Sequence, residues 1–310
     1  MNLAFLYAGQ GSQHAGMGQD LYEIYPLFRQ ILDDAPVDFD LKKLCFEGPE
    51  DQLSQTRYTQ PCMVAFAAGV TALLKERGIV PQAAAGLSLG EYSALQAAGV
   101  FTPREAIALA AFRGKAMEEA AQGMESAMYA VLNLDRNTLE EVCRKASEKG
   151  PVYLANYNCP GQIVIGGGRE GAEEACRLAL EAGARRCLPL KVSGPFHTPL
   201  MAPAGKALEE HFAGLSFGEM AFPVYFNCLG RPKTAEETIP QLLVRQVQTS
   251  VYMEDTIRHM ADAGIDTIVE VGPGKALSGF VKKTAPHIRT IPVETAQQLE
   301  DAVTLLKKEN

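Results

Sequence analysis

Between residues 126 and 191 the hydrophobic pattern breaks into short pieces whose order restricts the folds open to the chain. "SAMYAVLNL" (126–134) reads as a strand, 137–149 as a helix, "PVYLANY" (151–157) and "QIVIGG" (162–167) as strands, 170–182 as a helix and "ARRCLPLKV" (184–192) as a strand. A βαββαβ order is that of a ferredoxin-like α+β unit. The flanks alternate differently. "LAFLYA" (3–8) is strand-length, "GQGSQ" (9–13) breaks it, and 18–35 carries Leu21, Ile24, Phe28, Ile31 and Leu32 at helical spacing. A second helix is expected from Pro61 to a stop at Gly78, and a third after Thr102-Pro103, with Glu105 completing a capping box. Downstream come a helix at 202–213, a strand at 223–227, helices near 239–247 and 253–263, strands at 267–272 and 289–294, and a helix at 296–308. The expected architecture is α/β: a discontinuous α/β-hydrolase-like domain with a parallel sheet (1–125 and 192–310), into which a ferredoxin-like subdomain (126–191) is inserted.

Composition excludes several function classes. No apolar run approaches the ~18 to 20 residues that span a bilayer, and "MNLAFLYAGQGSQ" lacks the basic start of a signal peptide, so the expected location is the cytoplasm. A net charge of -8 argues against a general nucleic-acid binder. The seven cysteines (45, 62, 143, 159, 176, 187, 228) form no paired Cys-x-x-Cys pattern, so neither zinc nor disulfides are indicated. No cofactor and no metal are expected, and the default oligomeric state is a monomer.

"GLSLG" (86–90) has the Gly-x-Ser-x-Gly spacing of a nucleophile elbow, in which a strand-to-helix turn exposes a serine hydroxyl. Ser88 is either that nucleophile or a turn serine between two glycines. An apolar run before it and "GEYSALQAAG" after it supply the context an elbow needs. The free amide of Leu89 would then stabilise negative charge. A serine nucleophile needs a base. Of the five histidines, His211, His259 and His287 read as surface or packing residues, and His14 follows a glycine loop. His197, in "SGPFHTPLM" between two prolines, is the favoured candidate. No carboxylate is marked as a third triad member, and the His-Gly-Gly-Gly loop of lipases is missing. "GQGSQ" and "GPGKALSG" (272–279) match neither phosphate-loop pattern. Gln10 could instead present its amide as an oxyanion donor.

Six segments in order, "YAGQGSQHAGMG" (7–18), "GLSLGEYSAL" (86–95), "RGKAM" (113–117), "NYNCPGQIVIGG" (156–167), "SGPFHTPLM" (193–201) and "VEVGPGKALSGFVKK" (269–283), resemble the malonyl-CoA:acyl carrier protein transacylase family. The resemblance covers nearly the whole chain. It implies that Ser88 attacks the thioester of malonyl-CoA and that His197, oriented by backbone carbonyls rather than an aspartate, takes and returns the proton. Arg113 would pair with the free malonyl carboxylate, a task suited to a guanidinium fork. Gln10 and the Leu89 amide match the family's oxyanion donors, and Phe196 resembles the form selective for malonyl over methylmalonyl groups. The partners implied are malonyl-CoA and an acidic acyl carrier protein, with Lys191, Lys275, Lys282 and Lys283 as candidate docking cations. The expected role is in fatty acid biosynthesis, the alternatives being a free-standing polyketide acyltransferase or a serine thioester hydrolase. Two departures stand out. Leu87 occupies a position where the family commonly has histidine, and a second family glutamine falls at Gln248 or, matching "SVYMEDTI", at Tyr252. Neither Gln248 nor Tyr252 is taken into the site.

Overall fold

In the computed structural model, which describes residues 1–308, the run LAFLY is buried at every position. A strand with no polar face must be covered on both sides, as in a parallel sheet. Along the chain the strands are β1 (Leu3–Tyr7), β2 (Ala83–Gly86), β3 (Ser126–Leu132), β4 (Val152–Cys159), β5 (Gln162–Gly168), β6 (Arg186–Pro189), β7 (Tyr225–Phe226), β8 (Arg231–Pro232), β9 (Val251–Tyr252), β10 (Thr267–Val271) and β11 (Arg289–Val293). The first sheet has the order β11-β10-β1-β2, and every pairing in it is parallel.

Contacts between Cα atoms divide the chain into two compact units. The first comprises Met1–Gly114, Phe217–Phe226 and the chain from Arg258 on; the second comprises Lys115–Ser216 and Asn227–Ile257. The second unit is therefore wider than the 126–191 insertion expected from sequence, taking in 115–125, 192–216 and 227–257. A physical reason is visible in its sheet, ordered β6-β3-β5-β4-β9, where β9 comes from far downstream and pairs in parallel with β4 (Asn156↔Val251, Tyr157↔Tyr252). The remaining pairings are antiparallel. Helices Arg136–Ala146 and Arg169–Glu181 bury Leu139, Val142, Ala172, Ala175 and Ala179 with Val131, Ile163 and Ile165. The alanines let the second helix lie close to the strands.

Two local expectations in the first unit need amendment. The helix expected over 18–35 is two helices, Gln19–Ile24 and Pro26–Asp33, because Tyr25 is extended (φ -110°, ψ 111°) as the residue before a proline prefers. The helix expected from Pro61 begins earlier and spans Thr56–Glu76 with Pro61 inside it. Near the start of a helix a proline removes only one early rung, and burial of nearly the whole helix compensates. Helices Leu41–Glu47, Glu50–Leu53 and Ala276–Thr284 have no counterpart in the sequence reading. The capping box forms as expected: Thr102 N–H donates to Glu105 Oε2 (2.8 Å) and Glu105 N–H to Thr102 Oγ1 (3.2 Å).

Candidate active site

Ser88 sits directly after β2 and before helix Gly90–Ala97, with φ 53°. A non-glycine residue in the left-handed region costs about 1–2 kcal/mol and needs its surroundings to hold it. The flanking glycines are sterically required. A Cβ on Gly86 would lie 2.0 Å from the Gly90 carbonyl carbon, and one on Gly90 would lie 2.3 Å from Tyr7 O. Turn and helix thus pack backbone to backbone against the end of β1, and the serine is pushed outward. The amide of Leu89 belongs to the group of first-turn N–H donors that find no carbonyl within their own helix.

Arg113 comes to this turn from helix Pro103–Ala121 and is fully buried. Its Nη1 donates to Gln60 Oε1 (3.0 Å) and its Nη2 to Ser88 Oγ (3.2 Å). Its guanidinium carbon stands 5.4 Å from the centre of the Tyr92 ring. Burial pulls the Arg113 pKa down, opposed by Tyr92 and the buried Glu91, and a guanidinium stays charged through such a shift. Gly114 explains the Arg-Gly pair: a Cβ there would be 2.7 Å from Thr56 O, so only glycine lets the two helices approach closely enough to aim Arg113 at the turn.

Gln10 donates from Nε2 to Thr56 Oγ1 (3.0 Å), and Thr56 lies one turn before Gln60 on the same helix. One helix edge therefore holds both Gln10 and Arg113. The Gln10 loop abuts the elbow, since a Cβ on Gly9 would meet Leu87 O at 2.5 Å. The loop is tied down further along. His14 Nε2 pairs with Glu294, whose other oxygen accepts from Gly274 N–H (2.9 Å), and Ala15 N–H donates to Glu50 (2.7 Å). The glycine segment near 272 is anchored by buried Glu270, which accepts from Leu277 N–H (3.0 Å) and Ser278 N–H (2.7 Å).

The remaining predicted residues, Phe196 and His197, belong to the second unit. Both are buried, and His197 also has a left-handed backbone (φ 61°). His197 N–H donates to Val247 O (3.1 Å), and its Nδ1 lies 2.9 Å from Gln246 O. A carbonyl only accepts, so Nδ1 carries the hydrogen and Nε2 of the neutral ring keeps its lone pair. That is the tautomer a general base requires. A pocket of about 490 Å³ in this unit is lined by His197 together with Leu154, Tyr157, Gln248, Ser250 and Tyr252. Tyr252 stacks on Tyr157 with centroids 5.1 Å apart, and Gln248 Nε2 donates to Val244 O (3.1 Å). Both residues left out of the sequence-based site thus border the histidine.

The structure brings Ser88, Leu89, Gln10 and Arg113 together within one unit and puts Phe196 and His197 in the other. Thr56, Gln60 and the carbonyl of Gln246 were not anticipated. Thr56 and Gln60, like Thr59 and Thr71, are buried polar residues in a helix whose other buried positions are apolar or glycine, and that mismatch is the available signal. Among the described residues, no group of three or more His, Cys, Asp or Glu side chains is arranged to hold a metal, and no helix is long and apolar enough to cross a membrane.

The chain matches the acyl transferase domain family over residues 4–305. It is 42% identical over 311 residues to the malonyl CoA-acyl carrier protein transacylase of Bacillus subtilis (strain 168), covering 99% of this chain and 98% of that one. The crystal structure of MCAT from Streptococcus pneumoniae is 46% identical and superposes with a TM-score of 0.93, covering 98% of this chain and 100% of that one. A malonyl-transacylase in complex with its type II PKS acyl-carrier protein (holo) is 36% identical with a TM-score of 0.95, covering 98% and 100%.

Proposed function

The chain belongs to the acyl transferase domain family, and on that premise we propose that it moves a malonyl group from malonyl-CoA to the phosphopantetheine thiol of an acyl carrier protein. The observation that carries this reading is the buried Arg113 guanidinium 3.2 Å from the Ser88 hydroxyl. A positive charge that close to a nucleophile suits an acyl group carrying its own carboxylate. Malonyl is such a group, and a bidentate Arg113–carboxylate pair would fix the thioester carbonyl over Ser88 Oγ.

In the first half-reaction Ser88 Oγ attacks the thioester carbonyl while His197 Nε2 takes the hydroxyl proton. The carbonyl oxygen becomes negative and is stabilised by the Leu89 amide and the Gln10 side chain. Collapse breaks the C–S bond, the proton passes to the departing CoA sulfur, and a malonyl ester remains on Ser88. In the second half the carrier's thiol gives its proton to His197 and its sulfur attacks that ester; Ser88 regains its proton on release. The sequence is a ping-pong exchange. Phe196 restricts space for an α-branch, which favours malonyl over methylmalonyl. The carrier docks through Lys275, Lys282 and Lys283, with Lys191 as a further cation. No cofactor enters any step. The order β6-β3-β5-β4 with two helices supports a ferredoxin-like assignment for 126–191, and the parallel first sheet with its elbow supports a hydrolase-like one.

Fatty acid biosynthesis is the pathway we favour. A second reading, service to a polyketide carrier protein, is favoured by the likeness to the transacylase in complex with its type II PKS acyl-carrier protein. The test is transfer itself: purified chain, malonyl-CoA and holo carrier proteins of both kinds, with malonylated carrier read by mass. Fast loading of a carrier, abolished in Ser88→Ala and His197→Ala, is expected. Release of free malonate without carrier loading would assign a hydrolase instead.

A further inference from the structure

We infer that His14 and Glu294 are positioning residues for Gln10: their pairing fastens the loop that carries the glutamine to the glycine turn at 272–274, and so fixes where its amide meets the developing oxyanion. This rests on the reading of Gln10 as an oxyanion donor. Such a donor helps only while it is held in place, because a preorganised group spares the reorganisation a loose one must undergo. Gln10 lies in the irregular run between β1 and helix Gln19–Ile24, so its position depends on what grips that run. One stretch does so, from the end of β10 to the start of helix Ala296–Lys308. Ala8 N–H donates to Val271 O (3.1 Å). Gly272, at a φ of 145°, packs so closely that a Cβ on it would lie 2.4 Å from Ala8 Cβ, and one on Gly274 would touch Ser12 Cβ at 3.9 Å. His14 pairs with Glu294, and past the loop Ala296 N–H donates to Asp20 Oδ2 (2.7 Å). Gln10 is therefore gripped on both sides, and the "VGPGK" segment, which no catalytic step uses, acquires a task.

Glu294 is the junction of this arrangement. One carboxylate oxygen meets His14 Nε2, the other accepts from Gly274 N–H (2.9 Å), and its own N–H donates to Gln298 Oε1 (2.8 Å), all within the first unit. The chemistry of the ring makes the clasp conditional. His14 Nδ1 lies 2.9 Å from Ala15 O while Nε2 faces the Glu294 carboxylate. Both partners only accept, so both nitrogens must carry hydrogen, and the ring that makes both bonds is imidazolium. The hydrogen bond to Glu294, then that to Ala15 O and the charges of Glu294 and Glu50, raise the His14 pKa against the effect of burial. These two carboxylates are the charged groups that face the ring. The clasp is therefore whole below the raised pKa, and one of its bonds is lost as pH rises through it.

The test uses steady-state kinetics on the full chain with malonyl-CoA and holo acyl carrier protein, at about pH 6.5 and about pH 9. At the lower pH, His14→Ala and Glu294→Ala should each reduce kcat roughly 3- to 10-fold with little change in KM for malonyl-CoA, a fraction of the roughly 100-fold or more that a lost oxyanion donor costs. At the higher pH the ratio of wild type to His14→Ala should approach one; the ratio cancels the titration of His197, which both enzymes share. His14→Lys, cationic at both pH values, should match wild type at the lower pH and exceed it at the higher. Adding His14→Ala to Gln10→Ala should cost nothing further. Should Glu294→Ala fail to fold, His14→Ala carries the test, since that side chain is half exposed. Folded variants with wild-type kcat at the lower pH, or a His14→Ala loss undiminished in the Gln10→Ala background, overturn the inference. Gln10→Ala separates the two levels: if it keeps wild-type kcat, the oxyanion reading fails; if it is crippled while His14→Ala is normal at the lower pH, only the positioning role falls.

Discussion

Arg113 Nη2 donates to Ser88 Oγ across 3.2 Å, inside a shell that leaves the arginine no exposure to water. Low local dielectric makes the guanidinium a strong partner for an incoming carboxylate. Arg113→Ala and Arg113→Lys should therefore lose kcat/KM for malonyl-CoA by roughly 100-fold or more, from hydrogen bonds to a charged group worth about 1.5–3 kcal/mol each. Acetyl-CoA, which has no carboxylate to lose, should be used as well as before or better. Competition between the two thioesters reads the ratio directly, and an unaltered malonyl preference in Arg113→Ala would remove the assignment.

Ser88 is held at φ 53°, so function and stability should trade against each other there. Ser88→Gly relieves the left-handed strain and should raise the unfolding free energy by about 1 kcal/mol while abolishing acyl-enzyme formation. Ser88→Ala abolishes the chemistry without that gain. Denaturant midpoints of the two variants, side by side, check the difference.

The pairing of His14 with Glu294 raises the pKa of the imidazole, chiefly through their hydrogen bond and then through the Ala15 carbonyl. A group whose folded pKa is raised stabilises fully below its unfolded value, and the contribution disappears as pH rises through the folded value. His14→Ala should thus destabilise the chain at about pH 5.5 by less than about 1 kcal/mol, because the pair is partly exposed, and hardly at all near pH 9. Unfolding curves at the two pH values measure it; an equal effect at both would mean that charge is not involved.

Lys282 and Lys283 occupy the last turn of helix Ala276–Thr284 and are exposed. Reversing both to glutamate should raise KM for the carrier protein several-fold and flatten its salt dependence, with the half-reaction from malonyl-CoA unchanged. An unchanged KM for the carrier would move the docking surface elsewhere.

Strands β3 to β6 and the helices between them lie within a few residues of the positions their periodicity gave; the two helices each bury one clear face, whereas β6 is mostly exposed and is held by its pairing with β3. β2 was read only as an apolar run: AAAG is four small residues, and its strand identity comes from pairing with β1. The start of helix Thr56–Glu76 was misplaced because a proline that marks a first turn can also sit one turn further in. At the site, Ser88 was legible because the glycines of an elbow are dictated by backbone clashes that any sequence must respect. The role given to Arg113 came from family resemblance, since nothing in its helical spacing distinguishes it from a surface arginine. Gln246 was invisible, because it meets His197 through a main-chain carbonyl that every residue possesses.

The central claim is that Ser88 carries the acyl group between two thiols. Intact mass spectrometry after mixing the chain with malonyl-CoA tests it most directly: an adduct of about 86 Da, absent in Ser88→Ala and lost on adding holo acyl carrier protein, is the predicted result. Undiminished malonyl transfer by Ser88→Ala, or an adduct that persists in the presence of the carrier, would contradict it.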